Sequence, residues 1–336
     1  MDKYIITIDT GTTNTRVSLW DNQCNYIDIV KESVGVRDTA IDGNKNRLKC
    51  ALKSCIEKLT AEHGMTEKDV LAILASGMIT SNVGLIEIPH IVAPVDLTML
   101  AAAAQEIIIE EISSVPIWFI PGIKNFGTPV TIDNFELMDI MRGEEVESIA
   151  IIEKYFDGKS MLLVLPGSHT KFVSVNEKKQ ITGCLTSITG ELLSAITYHT
   201  IIADAVGKNF INDETAYDRE MTLQGYRTAQ KCGMGRAAFS GRILNQFVID
   251  DKNKIANFIV GAVVQNDILA ILNSAALHVS KNTTVVVVGK YPFGPAIFDI
   301  LKYDGHFKKV VCEVPEQDKP LSALGAFIVA RERKII

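Results

Sequence analysis

The sequence predicts an α/β chain of two domains, each a mixed β-sheet with helices, facing one another across a cleft. Three observations predict it. The 336 residues exceed one typical domain and suit two. Three β-rich runs with tight turns, followed by alternating helix and strand signals, occur once from Tyr4 and again from Ser160. In each half the first two strands are joined by a turn of small residues, Gly11–Asn14 and Gly167–His169.

The elements follow in order. Tyr4–Asp9, Thr15–Trp20 and Tyr26–Val30 read as strands. Asn44–His63 carries Leu48, Leu52, Ile56 and Leu59 at helical spacing. Val70–Ala75 is a strand ending at Gly77, Leu97–Ile112 reads as a helix, and Val115–Ile120 is a strand closed by Pro121-Gly122. Asp139 stands as an N-cap before an apolar-periodic helix. The second half opens with strands Ser160–Leu165, Lys171–Val175 and Ile181–Ser187, then helices near Glu191–Val206, Glu214–Cys232, Arg236–Val248 and Lys252–Val279. Strand Thr283–Val288, helix Pro292–Tyr303, strand Lys309–Val314 and helix Leu321–Arg333 close the chain. The expected domains are 1–140 and 141–336.

Composition narrows the function. The net charge is −6, with 34 basic and 40 acidic residues, so nothing argues for a nucleic-acid partner. The apolar runs Ala101–Ile112 and Phe258–Val279 are interrupted by Gln105, Glu106, Gln265, Asn266, Asp267 and Asn273, and read as buried or amphipathic helices, with no membrane span expected. No signal-peptide pattern opens the sequence. Six cysteines without a C-x-x-C pair suit a reducing cytoplasm and give no zinc site.

The chemistry concentrates in a few motifs. In "ITIDTGTTNTRVSLWD", Gly11, Thr12, Thr13 and Asn14 offer N–H groups and hydroxyls that can wrap an anion. Asp9 can hold Mg²⁺ directly or through water, and Arg16 can fork onto phosphate or carboxylate. An ordinary hairpin uses the same residue types. "LPGSHTKFVSV" repeats the arrangement with Gly167, Ser168, His169, Thr170 and Lys171. Two such turns across a cleft suit the phosphates of a nucleotide held with a metal. "DIMRGEEVESIA" places Asp139 as a candidate general base, with Arg142 and Glu144 as substrate-orienting or merely solvated charges. "SGMITSN" offers Gly77, Ser81 and Asn82 to a polar substrate or forms a plain loop; "SITGEL" sets Thr189 as an N-cap with Glu191 in the first turn. The turn at Gly289 in "VVVVGKYPFGP" can carry a nucleoside or simply join strand to helix.

Together, "IDTGTTNTR", "SGMITSN", "DIMRGEE", "LPGSHTK" and "TGEL", in this order and spacing, resemble the 2-dehydro-3-deoxygalactonokinase family of the sugar kinase, heat-shock ATPase and actin superfamily. Weaker similarity runs through "GRAAFSGRIL" and "ANFIVGAVV". The resemblance implies two actin-like, ribonuclease H-like domains about a nucleotide cleft. It implies phosphorylation of the terminal hydroxyl of 2-keto-3-deoxygalactonate by ATP with Mg²⁺. Carried over by motif, Asp9 organises Mg²⁺, Gly11–Asn14 and Gly167–Lys171 face phosphates, and Asp139 is the base. Arg16, Gly77, Ser81, Asn82, Arg142, Glu144 and Glu191 fall to the sugar acid. An ATPase or phosphohydrolase, a kinase for another sugar acid and a non-catalytic sensor are the alternatives, and the second-half helices offer a face for a homodimer. The sequence departs from the family pattern at Thr10, where Trp is expected, in a longer Lys124–Met138 stretch, and at "GKYPFGP".

Overall fold

The computed structural model describes residues 3–209, 211, 213–289, 291–315 and 319–336. The first half contains β1 (Tyr4–Thr10), β2 (Thr15–Asp21), β3 (Tyr26–Glu32), α1 (Val36–Asp42), α2 (Asn46–Glu62), β4 (Val70–Gly77), β5 (Ile91–Val92), α3 (Leu97–Ala102), β6 (Gln105–Ile109) and β7 (Ser113–Phe119). Its main sheet runs β3-β2-β1-β4-β7-β6. Two short strands, β8 (Ile123–Lys124) and β9 (Ile140–Met141), join β5 in a separate three-stranded sheet. Helix α4 (Glu144–Tyr155) leads into the second half. There, β10 (Met161–Leu165), β11 (Thr170–Val175) and β12 (Ile181–Ser187) precede helices α5 (Thr189–His199), α6 (Arg219–Cys232), α7 (Met234–Phe247) and α8 (Lys252–Asn273). The end comprises β13 (Thr284–Val288), α9 (Phe293–Asp304), β14 (Lys309–Glu313) and α10 (Leu321–Arg333). The second sheet runs β12-β11-β10-β13-β14 and repeats the first: an antiparallel meander, then parallel strands laid beside its opening member.

Strand alternation explains why β1 is buried on both faces. Ile6 and Ile8 pack with Leu48, Leu52, Ile56 and Leu59 of α2. Ile5 points the other way, into a core shared with Leu163 and Val173 of the second sheet and Phe327 of α10. Asp9 lies on that inter-sheet face. Helices α4 and α10 cross between the sheets, where a Cβ on Gly325 would come within 1.7 Å of the Val146 carbonyl oxygen. Helix α10 also packs on β1 and β4, so the last helix of the chain braces the first sheet. The 140/141 boundary expected from sequence falls inside β9.

Helix α8 is a core helix, buried without a break from Ile255 to Val264 and packed against α6, α7, α5 and α9. Gly225 and Gly261 permit its close crossing with α6, since a Cβ on either would stand 1.8 Å from a backbone oxygen of the other helix.

Several expected elements differ. Leu97–Ile112 is not one helix. Asp96 caps α3 by accepting from the Met99 N–H at 2.9 Å, and α3 ends at Ala102. Gln105–Ile109 then pairs antiparallel with β7, where β-branched Ile107–Ile109 suit an edge strand. The helix expected to Val206 stops at His199, and that expected to Val279 stops at Asn273. Asp139 is not an N-cap. It precedes β9, and Gly143 at φ 108° starts α4, a conformation glycine adopts without strain. Thr189 is likewise the first residue of α5 and not its cap, which is Ile188.

Candidate active site between the two sheets

The β1–β2 turn is held from behind. Gly11 N–H donates to the Asn14 carbonyl at 2.9 Å, and the carbonyls of Gly11 and Thr12 accept from the N–H groups of Val36 and Arg37 at 3.2 and 2.9 Å. Gly35 makes this possible, because a Cβ there would lie 2.4 Å from the Thr12 oxygen. The two carbonyls are therefore engaged by α1, which favours an anion at the turn's exposed Thr12–Asn14 side. Asp9 sits one strand position before, opposite Arg16, whose Nη1 lies 3.2 Å from Asp9 Oδ2. Ser322 of α10 donates to the same oxygen at 3.3 Å.

The second turn, Gly167–His169, is held by α5. The Ser168 carbonyl accepts from Gly190 N–H at 3.0 Å and Glu191 N–H at 3.2 Å, and a Cβ on Gly190 would stand 2.5 Å from the Gly167 oxygen. The Thr189 hydroxyl donates to buried Asp267 at 2.8 Å, fixing the start of α5 to α8. His169 Nε2 lies 2.9 Å from Glu191 Oε1 at the exposed tip.

Two cavities flank these turns. The first, about 520 Å³, is lined by Asp9, Arg16, Lys31, Glu147, Pro166 and Gly289 among others. Gly289 has φ 147°, and Pro166 packs against the place where a Cβ would stand. Burial pushes the Glu147 carboxyl up to about 8, and the neighbouring Asp9 and Glu144 carboxylates push the same way. Burial also raises Asp9, against the pull of Arg16. Asp9 and Glu147 are the carboxyls in this cavity with the chemistry to ligate a hard divalent cation, and among the described residues no cluster of three or more such ligands occurs.

The second cavity, about 550 Å³, is lined by Gly11, Thr12, Ser81, Asn82, Glu87, His90, Arg142, Glu144, His169, Lys171 and Thr186, with Met78, Pro89, Ile140 and Met141. Its cations are fixed. Arg142 donates to the Thr80 hydroxyl at 2.7 Å and the Ile88 carbonyl at 2.8 Å, and its Nη2 lies 3.3 Å from His90 Nδ1. Burial and the Arg142 charge push the His90 imidazole down to about 4. It is therefore neutral at physiological pH; Nδ1 accepts from Arg142, which assigns the ring proton to Nε2, a buried atom without a partner among the described residues. Lys171, also buried, donates to the Ile140 carbonyl at 2.8 Å and to the Thr186 hydroxyl.

The profile of the family described as 2-keto-3-deoxy-galactonokinase matches residues 9–311. The chain belongs to this family. It is 37% identical over 70 residues to a protein assigned as the 2-dehydro-3-deoxygalactonokinase DgoK1 of Rhizobium meliloti (strain 1021). That alignment spans 21% of this chain and 22% of the relative. The fold is similar to a Sinorhizobium meliloti crystal structure assigned as a 2-dehydro-3-deoxygalactonokinase, with a TM-score of 0.74, 22% identity and 98% of each chain covered.

In this galactonokinase-family chain, only some of the residues singled out from sequence line the two cavities; Thr13, Asn14, Gly167 and Ser168 line neither. Asp9 and Gly289 line the first. Arg16, expected beside the sugar acid, also lines the first, because it faces Asp9 across the β1–β2 pair. Gly11, Thr12, Ser81, Asn82, Arg142, Glu144, His169 and Lys171 line the second. Gly77, at φ 88°, lines neither. A Cβ there would meet the Thr10 oxygen at 2.8 Å, and a Cβ on Gly143 would stand 3.3 Å from the Gly77 Cα, so both glycines allow three backbone segments to meet under Asp9. Glu191 reaches the site through His169, and the Thr170 hydroxyl is buried. Thr10 is fully buried and accepts from Thr15 at 3.2 Å. It lies on the face opposite Asp9, so the departure from the family pattern at this position reaches neither cavity. Lys290 of "GKYPFGP" lies outside the described residues.

Asp139 lines neither cavity. Its carboxylate accepts from Ile140 N–H at 2.7 Å, Thr186 N–H at 2.6 Å and the Thr186 hydroxyl at 2.9 Å. Sequence reasoning missed Glu147, His90 and Thr186. Glu147 carried a signal, since it stands one helical turn after Gly143 in the motif already singled out; His90 and Thr186 carried none, being isolated residues in loop and strand.

Proposed function

We propose that the chain transfers the γ-phosphoryl group of ATP to the terminal primary hydroxyl of a 2-keto-3-deoxy sugar acid, with 2-dehydro-3-deoxy-D-galactonate, yielding its 6-phosphate, as the acceptor favoured by family membership. The observation that carries the reading is that Gly11 and Thr12 of the β1–β2 turn line one cavity, with the fixed cations Arg142 and Lys171 and the carboxylates Glu87 and Glu144, while Asp9, just before the turn, lines another with Glu147, Arg16 and Lys31. The former offers cations to an anionic acceptor; the latter offers carboxyls to a metal and cations to phosphate.

Asp9 and Glu147 would hold Mg²⁺, which when bound neutralises charge on the phosphates. Because Asp9 Oδ2 already takes two donors, its contact is the one best made through water. The Gly11–Asn14 and Gly167–Lys171 segments offer N–H and hydroxyl donors to phosphate oxygens, and the Gly289 turn borders the space for a nucleoside. Arg142 and Lys171 hold the acceptor's carboxylate end. Glu144, one of two carboxylates lining the acceptor cavity and in the first turn of α4, would take the hydroxyl proton as that oxygen bonds to phosphorus and the bond to ADP breaks. Most of the rate then comes from positioning and charge stabilisation.

The test is ADP release with a panel of 2-keto-3-deoxy sugar acids against a no-acceptor control. Acceptor-dependent release supports the kinase. Equal release without acceptor shows a phosphohydrolase.

A further inference from the structure

We infer that Asp139 is a positioning residue, holding the Lys171 ammonium at the acceptor cavity through Thr186; this rests on the kinase reading above. A directed chain connects the three. Lys171 Nζ donates to the Thr186 hydroxyl, which donates in turn to Asp139 Oδ1 at 2.9 Å. The Thr186 N–H, at 2.6 Å from Asp139 Oδ2, fixes the carboxylate on the same residue from its other side. Asp139 Oδ1 stands 3.8 Å from Lys171 Nζ and supplies the opposite charge that an ammonium with only 7% of its side chain exposed requires.

The carboxylate is poorly disposed to act as a base. Three donors already occupy it, and it does not line the cavity. Lys171 does line the cavity, and two of its three N–H bonds are committed, to Thr186 and to the Ile140 carbonyl. The third remains for an acceptor anion.

The loop that carries Asp139 is built for this placement. Asn125, at its start, acts as an extra strand residue against β12. Its side-chain amide donates to the Cys184 carbonyl and accepts from the Cys184 N–H, both at 2.8 Å. Its backbone N–H donates to the Asp139 carbonyl at 3.0 Å, closing the loop base. The stretch from 125 to 139 is thereby clamped two residues from Thr186. Its length does not loosen the end that matters.

The experiment compares Asp139→Asn, Thr186→Val and the double variant in steady-state assays, with sugar-acid affinity measured by calorimetry. Each single variant is expected to raise the sugar-acid KM and Kd about 10- to 100-fold, the scale of a lost hydrogen bond to a charged group. The ATP KM and the pH dependence of kcat should stay as in the wild type. The double variant should cost less than the product of the two, because both break one chain. Thr186→Val keeps the carboxylate and carries the test if Asp139→Asn does not fold, which thermal melting with nucleotide reports. A kcat loss of about 100-fold or more in Asp139→Asn, with KM unmoved and the acid limb of the kcat profile gone, would overturn the inference in favour of a general base. Unchanged sugar-acid affinity in both variants would overturn it too. A wild-type chain that binds the acid without turning it over fails the kinase reading alone, since the Kd comparison still stands; one that binds no sugar acid sinks both.

Discussion

Arg142, which lines the second cavity, is anchored to Thr80 behind it: the guanidinium donates at 2.7 Å to a hydroxyl that itself donates to the Gly77 carbonyl at 3.0 Å. The same guanidinium is held by Ile88 and His90, so its plane is fixed before substrate arrives. Lysine keeps the charge but not the fork. Arg142→Lys is expected to raise the sugar-acid KM by about tenfold or more while leaving the ATP KM unchanged. Initial-rate kinetics with each substrate varied in turn check this.

The Glu147 carboxyl titrates at about 8 in the fold against an ordinary 4.5. The folded chain keeps a proton that the unfolded chain releases. This contribution to stability is fully present below about pH 4.5 and is lost as pH rises through about 8. His90 works in the opposite sense: its folded value of about 4 lies below the ordinary 6.5, so its contribution is present above pH 6.5 and lost as pH falls through 4. Melting of the metal-free chain should therefore weaken on the alkaline side, and Glu147→Gln should remove that loss. Mg²⁺ with nucleotide should stabilise the wild type more at about pH 9 than at about pH 6, because the proton no longer competes for the carboxylates. Calorimetric scans across pH measure both.

Glu144→Gln removes the proposed proton acceptor without changing the side chain's shape. The kcat is expected to fall about 10²- to 10⁴-fold, with nucleotide affinity retained. Single-turnover ADP formation beside a nucleotide titration separates the two quantities.

Gly325 sits where α10 crosses α4, with no room for a methyl group against the Val146 carbonyl. Gly325→Ala forces the helices apart and disturbs the core that both sheets share. A destabilisation of about 3 kcal/mol is expected, at the upper end of ordinary overpacking. Denaturant unfolding measures it.

The two sheets were legible because short strands with alternating apolar residues and small-residue turns are local signals, and they recur in the same order in both halves. The turn at Gly11–Asn14 was legible for the same reason. The edge strand β6 was not, since Gln105–Ile109 is apolar enough for a helix and is decided by its pairing with β7. The neighbourhoods of Asp139 and His90 were hidden for a further reason. Asp139 reads as a helix cap until Thr186, 47 residues away, is seen to donate to it twice. His90 is joined to Arg142 across 52 residues of chain. Thr10 shows the converse, since a departure within a motif draws notice in sequence but points away from the cleft in the fold.

The most direct test of the account is the identity and stoichiometry of the product formed from ATP, Mg²⁺ and 2-dehydro-3-deoxy-D-galactonate, read by phosphorus nuclear magnetic resonance with parallel ADP quantification. The account predicts a phosphate ester on the terminal carbon, formed mole for mole with ADP, and negligible inorganic phosphate. ADP matched by inorganic phosphate, with the sugar acid unchanged, would contradict it.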